Sequence, residues 1–299
     1  MKRKAMWTGV AVVLLAALVA GQTPEQYLDV YTAQVKPEKR ADFDVVMKKM
    51  VAANRQSKGD SWLAMETAYG PGDRVSFVSV RQGYGDAEKS SDAFYAALHK
   101  VYGNAGVDKM FRDFGQCVLS TRSEFRRRRW DLSSNAPTDP AAMTKLLGEA
   151  RYLRTTAVHV RPGQVAAYEA LLKEVKAARE KASPPQTILV SQAVAGQEGT
   201  VFYITALQNS LAGFDAVPTI QQTLGDEGYQ RFLKTSAETV VNTETVINRF
   251  LPELSNAPEE VAAVAPKYWQ PKAVVAARAS RAKIGVVNAS QAGKIEEKK

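Results

Sequence analysis

Apolar and polar positions along this chain change period several times, and the changes run in the same order twice. Tyr27 to Val35 is β-branched and aromatic and ends in the turn pair Lys36-Pro37, which predicts a strand. Phe43, Val46, Met47 and Met50 then recur at steps of three and four, as on one apolar face of a helix. Two further strands, Ser61 to Tyr69 and Arg74 to Arg81, flank Gly70-Pro71-Gly72-Asp73, a sequence suited to a tight hairpin turn. A helical stretch from Ser91 to Leu119, broken near Gly103-Asn104, and a strand from Thr121 to Trp130 complete the series. From Tyr152 it starts again. A strand reaches Val160, Arg161-Pro162-Gly163 turns, and Tyr168, Leu171, Leu172 and Val175 mark a helix. Strands Thr187 to Ala195 and Thr200 to Gln208 follow around Gly196-Gln197-Glu198-Gly199, then a helical stretch from Ala212 to Val240 broken at Gly225, and a strand from Thr243 to Leu251.

The residues themselves repeat as well as the pattern. Tyr27-Leu28 and Val35-Lys36-Pro37 match Tyr152-Leu153 and Val160-Arg161-Pro162 without a gap. Gly70, Val75, Phe77 and Gln82 fall on Gly196, Val201, Tyr203 and Gln208, and both series close on Ser-Asn-Ala-Pro, at Ser134 and at Ser255. Ordered matches over such a length predict a tandem duplication. Strand, helix, strand, strand, helix, strand is the split βαβ or ferredoxin-like unit, whose sheet carries helices on one face only. The second copy can cover the open face of the first, giving a barrel-like interior.

Tyr152-Leu153-Arg154 and Val160-Arg161-Pro162-Gly163 stand before an amphipathic helix, echoed by Tyr27-Leu28-Asp29 and Val35-Lys36-Pro37-Glu38. On these residues the chain resembles the dimeric α/β-barrel superfamily, in particular its NIPSNAP-like and antibiotic-monooxygenase-like members. The resemblance implies an α+β fold in which two tandem ferredoxin-like (split βαβ) repeats form an intramolecular dimeric α/β barrel. It implies no particular activity, because one fold hosts many.

The predicted organisation is a signal peptide over 1–21, a first repeat over 22–134, a linker over 135–150, a second repeat over 151–258 and a largely disordered basic tail over 259–299. Met1-Lys2-Arg3-Lys4 followed by the apolar run Ala5 to Ala20 is the signal pattern, with cleavage expected before Gln22 and a retained anchor as the alternative. It predicts a periplasmic or secreted protein. Within the linker, Asp139 and Pro140 suit the start of a short helix, and the tail has a helical piece near Ala273 to Lys283. Cys117 is the only cysteine, so stability has to come from packing rather than an internal disulfide.

The net charge of +9 suggests an anionic partner until its placement is considered. Lys2, Arg3, Lys4 and the basic surplus after Pro258 account for most of it, and the body between is nearly neutral. Nucleic-acid binding is therefore not expected. The tail could make weak contact with an anionic membrane surface. The oligomeric state stays open, with a monomer admissible because the barrel can close within one chain.

Strand alternation puts Gln34 and His159 at equivalent places, on the face shared with Thr32 and Ala157. If that face lines the barrel, His159 is the candidate base or proton shuttle; the plainer reading is a strand histidine bonded to a neighbour. Arg126 and Arg128, alternating within Arg126-Arg127-Arg128-Arg129-Trp130, could hold a carboxylate or phosphate, or the run could protect an edge strand by charge. Glu66 with Gln192, and Phe77 with Tyr203, are matched positions that could face the same cavity. His99 is expected to face solvent. Chlorite-dismutase-like members of the superfamily hold haem through a histidine of the C-terminal copy, and here the C-terminal helices have none. Two distant histidines and one cysteine make no metal cluster, and no phosphate loop or nucleophile elbow is present. Neither cofactor nor metal is expected. The leading reading is an exported protein binding a small apolar or aromatic molecule between its sheets. The alternatives are a cofactor-independent oxygenase or isomerase with His159 as base, and an envelope interaction protein.

Overall fold

The computed structural model describes residues 25–182 and 186–270. The predicted signal peptide at 1–21 and the helical piece at 273–283 lie outside the described residues. The first half runs β1 (Tyr27–Val35), α1 (Arg40–Ser57), β2 (Leu63–Tyr69), β3 (Arg74–Arg81), α2 (Tyr84–Cys117) and β4 (Val118–Arg128). Helix α3 (Pro140–Glu149) connects it to β5 (Tyr152–Val160), α4 (Val165–Lys181), β6 (Leu189–Ala195), β7 (Thr200–Gln208), α5 (Ile220–Thr239) and β8 (Val240–Phe250). Two short helices follow, α6 (Glu259–Val264) and α7 (Pro266–Trp269). No described helix is long and apolar enough to cross a membrane.

All eight strands close one antiparallel barrel in the order β1-β3-β2-β8-β5-β7-β6-β4. Two seams join the halves, β2 to β8 through Met65↔Phe250 and β4 to β6 through Arg126↔Ala193. Strand alternation sends one set of side chains inward and the other toward the helices. The outer set meets the apolar faces of α1 and α4: Phe43, Val46, Met47, Met50, Tyr168, Leu171, Leu172 and Val175 are all buried. Each such side chain contributes roughly 1.5–3 kcal/mol by leaving water. The breaks expected near Gly103 and at Gly225 are kinks, where φ of 63° and 68° respectively takes the backbone out of the helix without ending it.

Closure leaves β4 bonded on both sides, to β1 and to β6. Arg126 to Arg129 therefore do not guard an exposed edge, contrary to one of the two sequence readings. The β6–β7 hairpin is also one residue longer than β2–β3, since Glu66 pairs with Val75 whereas Gln192 pairs with Phe202. A gap-free comparison sets Phe77 against Tyr203. The extra residue puts them on opposite faces, and Phe77 packs outside the barrel against Phe43 while Tyr203 turns inward.

The start of the expected tail is folded. Trp269 is fully buried, stacks edge-on against Phe250, and donates from Nε1 to the Gly148 carbonyl at 2.8 Å. The Tyr268 hydroxyl donates to the Phe250 carbonyl, and the Arg151 guanidinium lies 3.7 Å above the Tyr268 ring. Asp139 caps α3 by accepting from Ala142 N, as its sequence suggests, and α3 packs with α6 through the close approach of Gly148 to Val264. The linker and residues 259–270 thus form one layer against Leu63, Met65, Leu153 and Phe250 at one end of the barrel.

Candidate functional site

Inward-facing side chains enclose a cavity of about 990 Å³ that extends from the barrel interior to α3 and α6. That is the size of pocket which buries a drug-sized molecule. Around the ring, β1 and β5 run in the same direction, so the cavity has two distinct ends. Leu28, Leu63, Met65, Leu153, Leu207 and Phe250 line the end covered by α3 and α6. Gln34, Arg74, Ser120, Glu244 and His159 line the other, where Arg74 and Glu244 form an exposed ion pair at 3.4 Å. One end gathers apolar side chains beneath α3 and α6, and the other is polar.

Between them, one wall carries a buried polar network. Strand β4 contributes Glu124 and Arg126, β7 contributes Tyr203, and the β6–β7 loop contributes Gln197. The Tyr203 hydroxyl donates to Glu124 Oε2 at 2.6 Å, and Arg126 Nη2 pairs with the same oxygen at 2.8 Å. Gln197 Nε2 donates to Glu124 Oε1 at 2.8 Å. The Arg126 guanidinium lies 3.5 Å from the centre of the Tyr203 ring. The β6–β7 loop reaches Glu124 because Gly196, at φ +84°, lets it approach β4 so closely that a Cβ would fall 2.1 Å from the Ser123 carbonyl. Burial pushes the Tyr203 phenol far above its ordinary range, so this hydroxyl stays a donor at neutral pH. Every charge in the network has its partner inside the network.

Arg128 stands apart from it. It follows Arg126 on the inward face of β4, close to the apolar end, with its guanidinium carbon 5.5 Å from the centre of the Trp130 ring. Its Nε is buried without a hydrogen-bond partner. Burial, and secondarily the Arg126 charge, pushes its pKa down to about 10. It still carries its proton at neutral pH, in surroundings that disfavour the charge.

Of the sequence candidates, Gln34, His159, Tyr203, Arg126 and Arg128 share this cavity. Gln34 donates to the Gly72 carbonyl at 3.0 Å. Nothing among the described residues hydrogen-bonds to the His159 ring. Glu66 and Gln192 do not line the cavity: each occupies the alternate phase of its strand and faces the helices. Glu66 accepts from Arg40 of α1 and Arg249 of β8. Gln192 accepts from Arg129, which also holds Asp131 and Glu169. His99 is exposed on α2. Glu124 and Gln197 are the members that sequence reasoning missed. Glu124 shares the inward phase of Arg126, which alternation could have found, whereas Gln197 sits in a turn with no periodicity to follow. Among the described residues no group of three His, Cys, Asp or Glu side chains gathers to hold a metal ion.

No family model matches the sequence, and no curated protein matches it. Among solved structures, the chain is similar to an anthrone oxidase-like protein, with 13% identity, a TM-score of 0.48, and coverage of 77% of this chain and 93% of that one. It is similar to a mutant chlorite dismutase from Candidatus Nitrospira defluvii in complex with cyanide, at 11% identity and a TM-score of 0.42 over 80% of this chain and 94% of that one. A heme-binding protein from Thermus thermophilus gives 12% identity and a TM-score of 0.41 over 78% and 93% of the two chains. Likenesses this distant carry no weight for the chemistry of the cavity.

Proposed function

We propose that the chain is an exported dimeric α/β barrel, built from two tandem ferredoxin-like repeats, that binds a small apolar or aromatic molecule inside the barrel. The observation that carries this reading is the roughly 990 Å³ cavity, with apolar side chains gathered beneath α3 and α6. A concave space of this size that combines a group of apolar side chains with convergent polar ones is the usual form of a small-molecule site. The competing reading, a cofactor-independent oxygenase or isomerase, rests on His159 as base. A catalytic imidazole needs a group that fixes its tautomer and orientation, and the described residues offer His159 no hydrogen bond. Binding is therefore the better supported function.

Trp62 and Trp130 both line the cavity, so its occupancy can be read by tryptophan fluorescence. Titration of the mature chain with naphthalene derivatives should give saturable quenching. Ala157 faces inward, and Ala157→Trp fills the space beside it. This variant should weaken binding at least roughly tenfold while melting within a few degrees of wild type. Equal affinity in the filled variant would place the ligand outside the barrel and end this reading.

A further inference from the structure

The inward positions of β4 and β8 are equivalent about the barrel: Val118 pairs with Val35 of β1, and Val240 pairs with Val160 of β5. Counting along each strand from those pairs sets Arg126 against Asn248 and Arg128 against Phe250. Phe250 is buried in the apolar layer against Trp269. The fold therefore accepts a large apolar side chain at this place, and in β4 it carries a cation instead.

That cation has no protein partner among the described residues. Arg126 is neutralised by Glu124, and Arg129, facing the helices, by Asp131 and Glu169. Arg127 also faces outward, away from the cavity. Glu124 forms no ion pair with Arg128; its Oε2 serves Tyr203 and Arg126 and its Oε1 serves Gln197. Asp139 and Glu260 line the covered end, but Asp139 caps α3 and neither forms an ion pair with Arg128. The terminal guanidinium nitrogens of Arg128 bond to no described residue either, and Arg128 lines the cavity. Arg128 is half-buried, and an ion partly withdrawn from water without a counter-charge is disfavoured. An arginine presents paired donors whose spacing matches a carboxylate.

We infer that the ligand of this barrel is an amphipathic anion, a carboxylate on an apolar or aromatic body, and that Arg128 holds its headgroup. The body lies among Leu28, Leu153, Leu207 and Phe250, with the Trp130 ring beside the headgroup. This assignment rests on the cavity reading above and narrows it to one chemical class. The Arg126 charge, which disfavours the Arg128 cation, attracts an anion bound beside it, and the low-dielectric surroundings strengthen the Arg128–anion attraction while costing the anion its hydration.

The test uses two matched pairs on the mature protein, 2-naphthoate with its methyl ester and dodecanoate with its methyl ester, titrated by calorimetry and tryptophan fluorescence. At least one acid should bind wild type roughly tenfold to a hundredfold tighter than its ester, the range of a hydrogen bond to a charged group. Arg128→Met should remove that preference by weakening the acid, leaving the ester within about threefold. Because the variant loses an unpaired, half-buried charge, its melting temperature should equal or exceed that of wild type. Should it fail to fold, the acid-to-ester ratio on wild type and on Arg128→Lys, which keeps the charge, still decides the matter. Acid and ester binding wild type equally, or a preference that survives Arg128→Met, would overturn the assignment while leaving the cavity reading intact. Failure of all four compounds to bind at millimolar concentration would overturn both.

Discussion

At the scale of single residues, phase along a strand decides role. Glu66 and Glu124 are carboxylates with arginine partners, but Glu66 faces outward and clamps α1 to the β2–β8 seam, while Glu124 faces the cavity and organises its wall. The phase of Gln34 and His159 is legible because the sequence marks the starts of their strands at Tyr27 and Tyr152, whereas β4 begins at Val118 rather than the expected Thr121, and only alternation places Arg126 and Arg128 on one face. That of Glu66 and Gln192 was misread, because nothing local to β2 or β6 says which of two alternating sets points in. The Glu66 clamp has a measurable signature. Burial raises its pKa, but hydrogen bonds from Arg249 and Arg40 outweigh burial and leave the value below the ordinary 4.5. A carboxylate with a depressed folded pKa stabilises the protein above its unfolded pKa, and the contribution fades as pH falls from there through the folded value. Glu66→Gln should therefore cost about 1 kcal/mol at pH 7, a modest figure because Arg249 is exposed, and almost nothing at pH 3. Urea titrations of both proteins at the two pH values measure the difference; equal losses at both would mean that packing, not charge, holds Glu66.

At the scale of elements, the strands, their hairpins and the kinks at Gly103 and Gly225 follow from periodicity and turn chemistry. The extra residue in the β6–β7 hairpin does not, since a bulge or a longer loop leaves no trace in apolar spacing. The same kind of slip affects the Ser-Asn-Ala-Pro match: Ser133 Oγ and Ser255 Oγ play the same part, accepting from Val190 N and Ala64 N, although the repeated letters align Ser134 with Ser255. Helices α6 and α7 were illegible for a different reason. They are too short to show a period, and Val261, Ala262 and Trp269 become a buried face only once Gly148 and Phe250 stand opposite. Trp269→Ala removes the centre of that face. The expected outcome is local release of α6 and α7, with faster amide exchange there and in α3 and a lower melting temperature, while amides of β1 and β5 keep their protection. Uniformly faster exchange through the barrel would show that the covering layer is part of the global folding unit.

At the scale of the molecule, the two halves complete one another at the seams. Apart, each would expose the unpaired edges of β2 and β4, or of β6 and β8, together with an uncovered inner face carrying Leu28, Leu63 and Met65 or Leu153, Leu189 and Leu207. Long unpaired edges beside an apolar face recruit other chains. Residues 22–134 and 135–270, the second keeping α3, produced separately, should therefore self-associate or aggregate, and mixing them should restore a soluble one-to-one complex in sedimentation and tryptophan fluorescence. If either fragment sediments as a folded monomer, the barrel seams contribute little to folding. Joining the halves in one chain also permits what a symmetric pair of identical halves forbids. Two copies of the first half would bring two Arg128 cations into one interior, and two copies of the second would bring two Phe250 side chains and no cation. Only the covalent pair sets one Arg128 opposite one Phe250, giving the barrel interior a single cation beside that apolar group. The reassembled fragments should accordingly recover the preference for an acid over its ester, and an assembly of either fragment alone should lack it.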